Sequence, residues 1–104
     1  MAEHLATGAC EVPVCMLVYR RPELTRRVFA AVRAARPSTL LVVADGPRPG
    51  DADEARLCEA TRAVFRDVDW DCEVLTEFAP ENLGLRARVS SGLSWVFSRV
   101  EEAI

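Results

Sequence analysis

Apolar residues along this chain fall into short continuous runs separated by stretches of helical spacing. The first run, Val12 to Tyr19 (VPVCMLVY), is almost continuously apolar, the pattern of a strand covered on both faces. Two arginines later comes Pro22, which suits a first helical turn because its missing N–H would have no partner there. Leu24, Val28, Ala31 or Val32, and Ala35 then recur at helical spacing until Pro37 stops the helix. Thr39 to Ala44 is a second apolar strand. Asp51, with Glu54 three residues on, reads as a capping box opening a second helix whose buried stripe is Leu57, Cys58, Thr61, Val64 and Phe65. Cys72 to Phe78 (CEVLTEF) alternates more, as a strand with one wetter face does. Asn82 and Gly84 lead into a third helix, where Leu85, Val89, Leu93, Val96, Phe97 and Val100 hold one face for four turns.

This βαβαβα order predicts an α/β fold, a three-layer, mostly parallel sheet with right-handed crossovers. No internal repeat or low-complexity linker interrupts it. Residues 1–11 carry no period and are read as a flexible segment ahead of one domain over residues 12–104.

Composition narrows the picture. A chain of 104 residues makes at most one domain, which buries roughly two thirds of its unfolded surface. Half of the residues are hydrophobic, but many are alanines that add little apolar area, so burial rests on Leu, Val, Phe and Trp. A formal net charge of -3 argues against a broad nucleic-acid surface, which depends on excess Lys and Arg. The pairs Arg20 with Arg21, Arg26 with Arg27, and Arg86 with Arg88 could each meet one or two phosphates, or simply be solvated helix ends. Cys10, Cys15, Cys58 and Cys72 show no C-x-x-C spacing, so neither a zinc site nor a disulfide framework is expected. The first twelve residues lack a signal-peptide pattern and no window approaches the ~20 apolar residues of a membrane span. A reduced, cytoplasmic setting is the expectation. His4, the single histidine, lies in the aperiodic start and is not expected to act as a base or metal ligand.

Candidate chemistry sits where the strands end, because ligands of open α/β sheets bind beyond the strands' carboxyl ends. The stretch LLVVADGPRPGD breaks from an apolar strand into an acid, two glycines and two prolines. Tyr19 with Arg20 and Arg21, Asp45 with Gly46, and Phe78 through Gly84 all fall on that edge. Such a set suits a nucleotide. The tyrosine ring can stack on a base, Asp45 can accept from a base imide or ribose hydroxyl, and arginine can face a diphosphate. The helix opened near Gly84 adds N–H donors and a positive dipole end. Alternatives stand beside these readings: Asp45 as a turn residue bonding its own backbone near Gly46, Asn82 as a helix cap, and Tyr19 as packing. The chain has no G-x-x-x-x-G-K-[ST], and NLGLRARVSSG does not supply G-x-G-x-x-G, so neither a P-loop nor a dinucleotide fold is supported. A phosphoacceptor receiver would want clustered acids after its first strand, where Tyr19, Arg20 and Arg21 stand instead.

The segment PVCMLVYRRPELTRRVFAAVRAARPSTLLVVADGPRPGD, followed by NLGLRARVSSGLSWVF, resembles the amino-terminal half of a nucleotide-sugar glycosyltransferase of the GT-A fold, near family 2 and the N-acetylglucosaminyltransferase I-like enzymes. The resemblance covers about residues 12 to 104 and implies an incomplete GT-A-type, Rossmann-like sheet. It implies nucleotide contacts from Tyr19, Arg20 and Arg21 after the first strand, and from Asp45 and Gly46 after the second. Asn82, Gly84 and Arg86 would shape the diphosphate side. The ligand would be UDP-sugar or another NDP-sugar, and the complete enzyme would transfer the sugar to a hydroxyl acceptor with Mg or Mn.

This sequence departs from the family at its carboxyl end. The acidic metal motif expected on the next strand is missing, and Glu101 and Glu102 sit at helical positions that read as a solvated helix end. The expectation is therefore a donor-binding half without catalytic residues or metal ligands of its own, inactive alone. The family's strand order, 3-2-1-4, would leave the first strand on an open edge when the fourth is absent. Apolar edges recruit partners, so self-association through residues 12 to 19 is expected, and a noncatalytic, self-associating α/β module is the alternative function. A 2-1-3 order, with the first strand central, is the structural rival.

Overall fold

A computed structural model describes residues 12–101 and residue 103 of the chain. The aperiodic start with His4 and Cys10 lies outside the described residues, as does Glu102. Three strands are present, β1 (Val14–Val18), β2 (Thr39–Ala44) and β3 (Glu73–Phe78), with helices α1 (Pro22–Ala35), α2 (Ala52–Ala63) and α3 (Leu85–Arg99) following them in turn. A 3-10 turn, Val64–Asp67, extends α2.

The strands form one parallel sheet in the order β1-β2-β3. Met16 stands beside Val42 and Val42 beside Thr76, so the carboxyl ends line up on one edge. The 2-1-3 alternative is not adopted: β2 is central, and its Leu40 through Ala44 are all buried. Alternation along β2 splits the core in two. Leu40 and Val42 face Phe29, Val32, Val64, Phe65 and Trp70, whereas Leu41 and Val43 face α3 and Val96. Phe29 meets Phe65 edge-on at 5.7 Å between ring centroids, and Trp70 satisfies its indole N–H on the Pro37 carbonyl at 2.8 Å.

All three helical stripes differ in part from the pattern read in the sequence: in α2 and the turn that extends it, Leu57 is exposed, while Cys58, Thr61, Val64 and Phe65 are buried as expected. In α1 the buried positions are Thr25, Phe29 and Val32, while Leu24 and Val28 are exposed. Both sets have helical spacing, and the bulkier Phe29 ring takes the core. In α3 the buried residues are Arg88, Gly92 and Val96, leaving Leu85, Leu93 and Phe97 exposed. Here close approach decides: a Cβ on Gly92 would stand 2.6 Å from Val43 Cγ1, so the helix packs glycine-down on β2. β1 also differs. Its apolar run predicts cover on both faces, yet Leu17 is exposed because an edge strand has a neighbour on one side only.

Candidate functional site

The loops that follow β1, β2 and β3 meet in one cleft at the carboxyl edge of the sheet. It encloses about 460 Å³ and is lined by Tyr19, Arg20, Arg21, Asp45, Asn82 and Gly84 of the expected set, together with Arg48, Arg88, Leu17 and Leu85. A volume of this size falls within the range of small-molecule sites, about 300–1,000 Å³. Two expected residues lie apart from the lining. Gly46 is buried beneath it, where a Cβ would come within 2.6 Å of the Ala79 carbonyl oxygen. Arg86, in the first turn of α3, is exposed and does not border the cleft.

Asp45 organises the floor. It is only 5% exposed. Its Oδ1 accepts from the backbone N–H groups of Gly46 at 2.8 Å and Leu83 at 2.9 Å, and its Oδ2 accepts from Gly84 N–H and from Asn82 Nδ2, both at 3.2 Å. Asn82 Nδ2 also donates to the Gly46 carbonyl. The carboxylate thus makes the turn contact weighed from the Asp-Gly pair, and beyond it ties the end of β2 to the loop entering α3. Asn82 does not cap α3, since Gly84 is the N-cap residue. Asp45 itself occupies part of the helix's positive end, the place that the sequence assigns to a phosphate.

Glu54 organises one wall, a role that its place in a capping box does not announce. The capping box expected from Asp51 and Glu54 forms by half: Asp51 Oδ1 accepts the Glu54 N–H at 2.9 Å. The Glu54 side chain does not return to the cap. It is buried instead, where it accepts from the Tyr19 hydroxyl, from Arg20 Nη1 at 2.9 Å, and from the backbone N–H and Nη2 of Arg48, each at 2.8 Å. Hydrogen bonds from Arg48 and then Tyr19 hold its carboxyl at about 2, well below the usual range. Desolvation, and next the bond to Glu54, push the Tyr19 hydroxyl up to about 12.

Arg88, read in the sequence only as one of a pair with Arg86 that could meet a phosphate, lies inside the fold, and Arg48 is the cleft arginine that sequence reasoning misses. Buried at the base of α3, Arg88 donates through Nε to the Ala44 carbonyl at 3.1 Å, through Nη1 to Glu77 Oε1 at 2.9 Å, and through Nη2 to the Glu77 carbonyl at 2.7 Å. Its helical spacing with Gly92 and Val96 is the signal that could have placed it there. With its donors spent inside, Arg88 sets the electrostatic floor, and Arg20, Arg21 and Arg48 are the exposed cations of the rim. Arg21 makes no side-chain hydrogen bond or ion pair among the described residues.

The arrangement can take a planar ring at Tyr19 and an anion between the rim arginines. No group of three or more His, Cys, Asp and Glu side chains is placed to hold a metal ion among the described residues. No helix among them is long and apolar enough to cross a membrane. Compared with family models, curated proteins and solved structures, the chain matches none.

Proposed function

We propose that this chain is the nucleotide-binding half of a glycosyltransferase, taking the nucleoside diphosphate part of an NDP-sugar in the cleft above β1, β2 and β3. The observation that carries this reading is the meeting of all three strand-end loops around one cavity with three exposed arginines on its rim. Tyr19, its ring oriented by the hydroxyl's bond to Glu54, stacks on the base. Arg20, Arg21 and Arg48 face the diphosphate. Asp45 keeps the Asn82–Gly84 loop in place, and its Oδ2, held by the two longer bonds, turns to a ribose hydroxyl or base imide. The complete enzyme would transfer the sugar to a hydroxyl acceptor with Mg or Mn supplied from elsewhere, while this chain contributes donor binding rather than turnover.

Calorimetric titration with UDP tests the reading. Binding at millimolar affinity or tighter is expected, weakened about tenfold by Arg21→Ala, which amounts to ~1.4 kcal/mol. Arg21 contributes no described side-chain contact, so this variant removes charge without removing structure. Absence of heat at millimolar UDP, with an unshifted melting temperature, would replace the proposal with a noncatalytic α/β interaction module.

A further inference from the structure

β1 pairs with β2 along one side, and no described residue pairs with its other side. The Asp45 N–H donates to the Val18 carbonyl at 3.0 Å, so Val18 turns its amide groups toward β2. By strand alternation Val14 and Met16 do the same, while Cys15 and Leu17 present theirs outward. The sequence VCMLV carries no charge and no proline, the features that ordinarily guard an edge. β3, at the opposite edge, has Glu73 and Glu77.

Apolar side chains flank this bare edge. On the α3 face Leu17 is 44% exposed, Leu85 82%, Leu93 41% and Phe97 54%. On the other face, Leu24 of α1 lines the same cleft as Leu17 and Leu85, and Val28 follows one turn along. Together they leave both margins of the bare edge apolar, with Leu17, Leu24 and Leu85 at the cleft end and Val28, Leu93 and Phe97 farther along.

We propose that β1 is the seam of a homodimer, in which a second copy pairs antiparallel about a two-fold axis through Met16 to make one six-stranded sheet. A two-fold operation is self-complementary here. It sets Cys15 opposite Leu17 of the second copy, so each outward N–H meets an outward carbonyl and the reverse. It also keeps like faces together: Leu93 and Phe97 of both copies close over one side, and Leu24 and Val28 over the other. A net charge of -3 per chain opposes this only weakly. The dimer does not depend on the nucleotide reading.

Sedimentation velocity on the purified chain at high micromolar concentration should give a dimer, and Phe97→Glu should return it to a monomer with unchanged circular dichroism. Leu17→Cys tests the register without touching the core, because an opposed hydrogen-bonded pair has Cα atoms about 5.5 Å apart, within disulfide range. Mild oxidation should link the introduced thiol to Cys15 of the second copy, and Leu17→Cys combined with Cys15→Ser should abolish the link. A wild-type monomer at that concentration, or a dimer that yields no such link, overturns the proposal.

Discussion

At the scale of single residues, the carboxylate of Glu54, buried behind the cleft residues Tyr19, Arg20 and Arg48, gathers three donor side chains from two loops. Glu54 sits where a capping box would put it, and nothing in Asp-Ala-Asp-Glu distinguishes a solvated cap from a buried hub for Tyr19, Arg20 and Arg48. Only the fold brings those donors from 34 or 35 residues away and from the loop beside it. Two titrations follow. Tyr19 is the single tyrosine, so tyrosinate absorbance reads it alone: the folded chain should titrate at about 12, and the urea-unfolded chain near 10. Glu54→Gln should lower the folded value only part of the way, because desolvation is the larger cause. For Glu54 the folded carboxyl lies at about 2 against an ordinary 4.5, so the stabilisation is fully present above about 4.5 and is lost as pH falls through about 2. Urea midpoints measured down this range should fall more steeply for wild type than for Glu54→Gln. Equal slopes would remove Glu54 from its proposed place. Tyr19 acts in the opposite sense, and its contribution is lost as pH rises from about 10 through about 12.

Elements were legible in kind and less so in facing. All three helices and all three strands lie within a few residues of where apolar spacing puts them, because that spacing is a local property. Which side of a helix is buried depends on its neighbours. In α1 the rings of Phe65 and Trp70 select Phe29 over Val28, and in α3 the approach to Val43 selects Gly92 over Leu93. Substitution separates the two kinds of glycine contact. Gly92→Ala would bring a methyl against the Val43 side chain, which can shift slightly, so a loss of about 1–3 kcal/mol is expected in urea unfolding. Gly46→Ala would meet the backbone of Ala79 and Glu81 at 2.6 and 2.7 Å, which cannot yield as a side chain does, and should cost more. The same loop packing makes Asp45→Ala destabilising by about 3 kcal/mol, since it leaves the N–H groups of Gly46, Leu83 and Gly84 without their acceptor. An Asp45→Ala chain as stable as wild type would contradict the anchoring role of this carboxylate, whatever its effect on nucleotide.

For the whole molecule, the order of strands is what sequence conveys least, since VCMLV and TLLVVA are similarly apolar and each suits a buried strand. Their difference comes from the crossovers, which put β2 between two neighbours and leave β1 and β3 with one each. Hydrogen exchange should expose this ranking. Amides of Leu40 through Ala44, buried on both faces and paired on both sides, should open only with global unfolding. In β1 the two amide classes must part company: Met16 and Val18 point to β2, whereas Cys15 and Leu17 point to the open side. Diluting the protein should therefore accelerate exchange at Cys15 and Leu17 alone, because dissociating a second copy frees those two N–H groups and no others in the strand. Uniform protection along β1 at every concentration would mean that its outer side is already covered within one chain, and the seam would have to be sought elsewhere. The β3 amides offer the internal control, since an edge guarded by Glu73 and Glu77 should exchange at a rate indifferent to dilution.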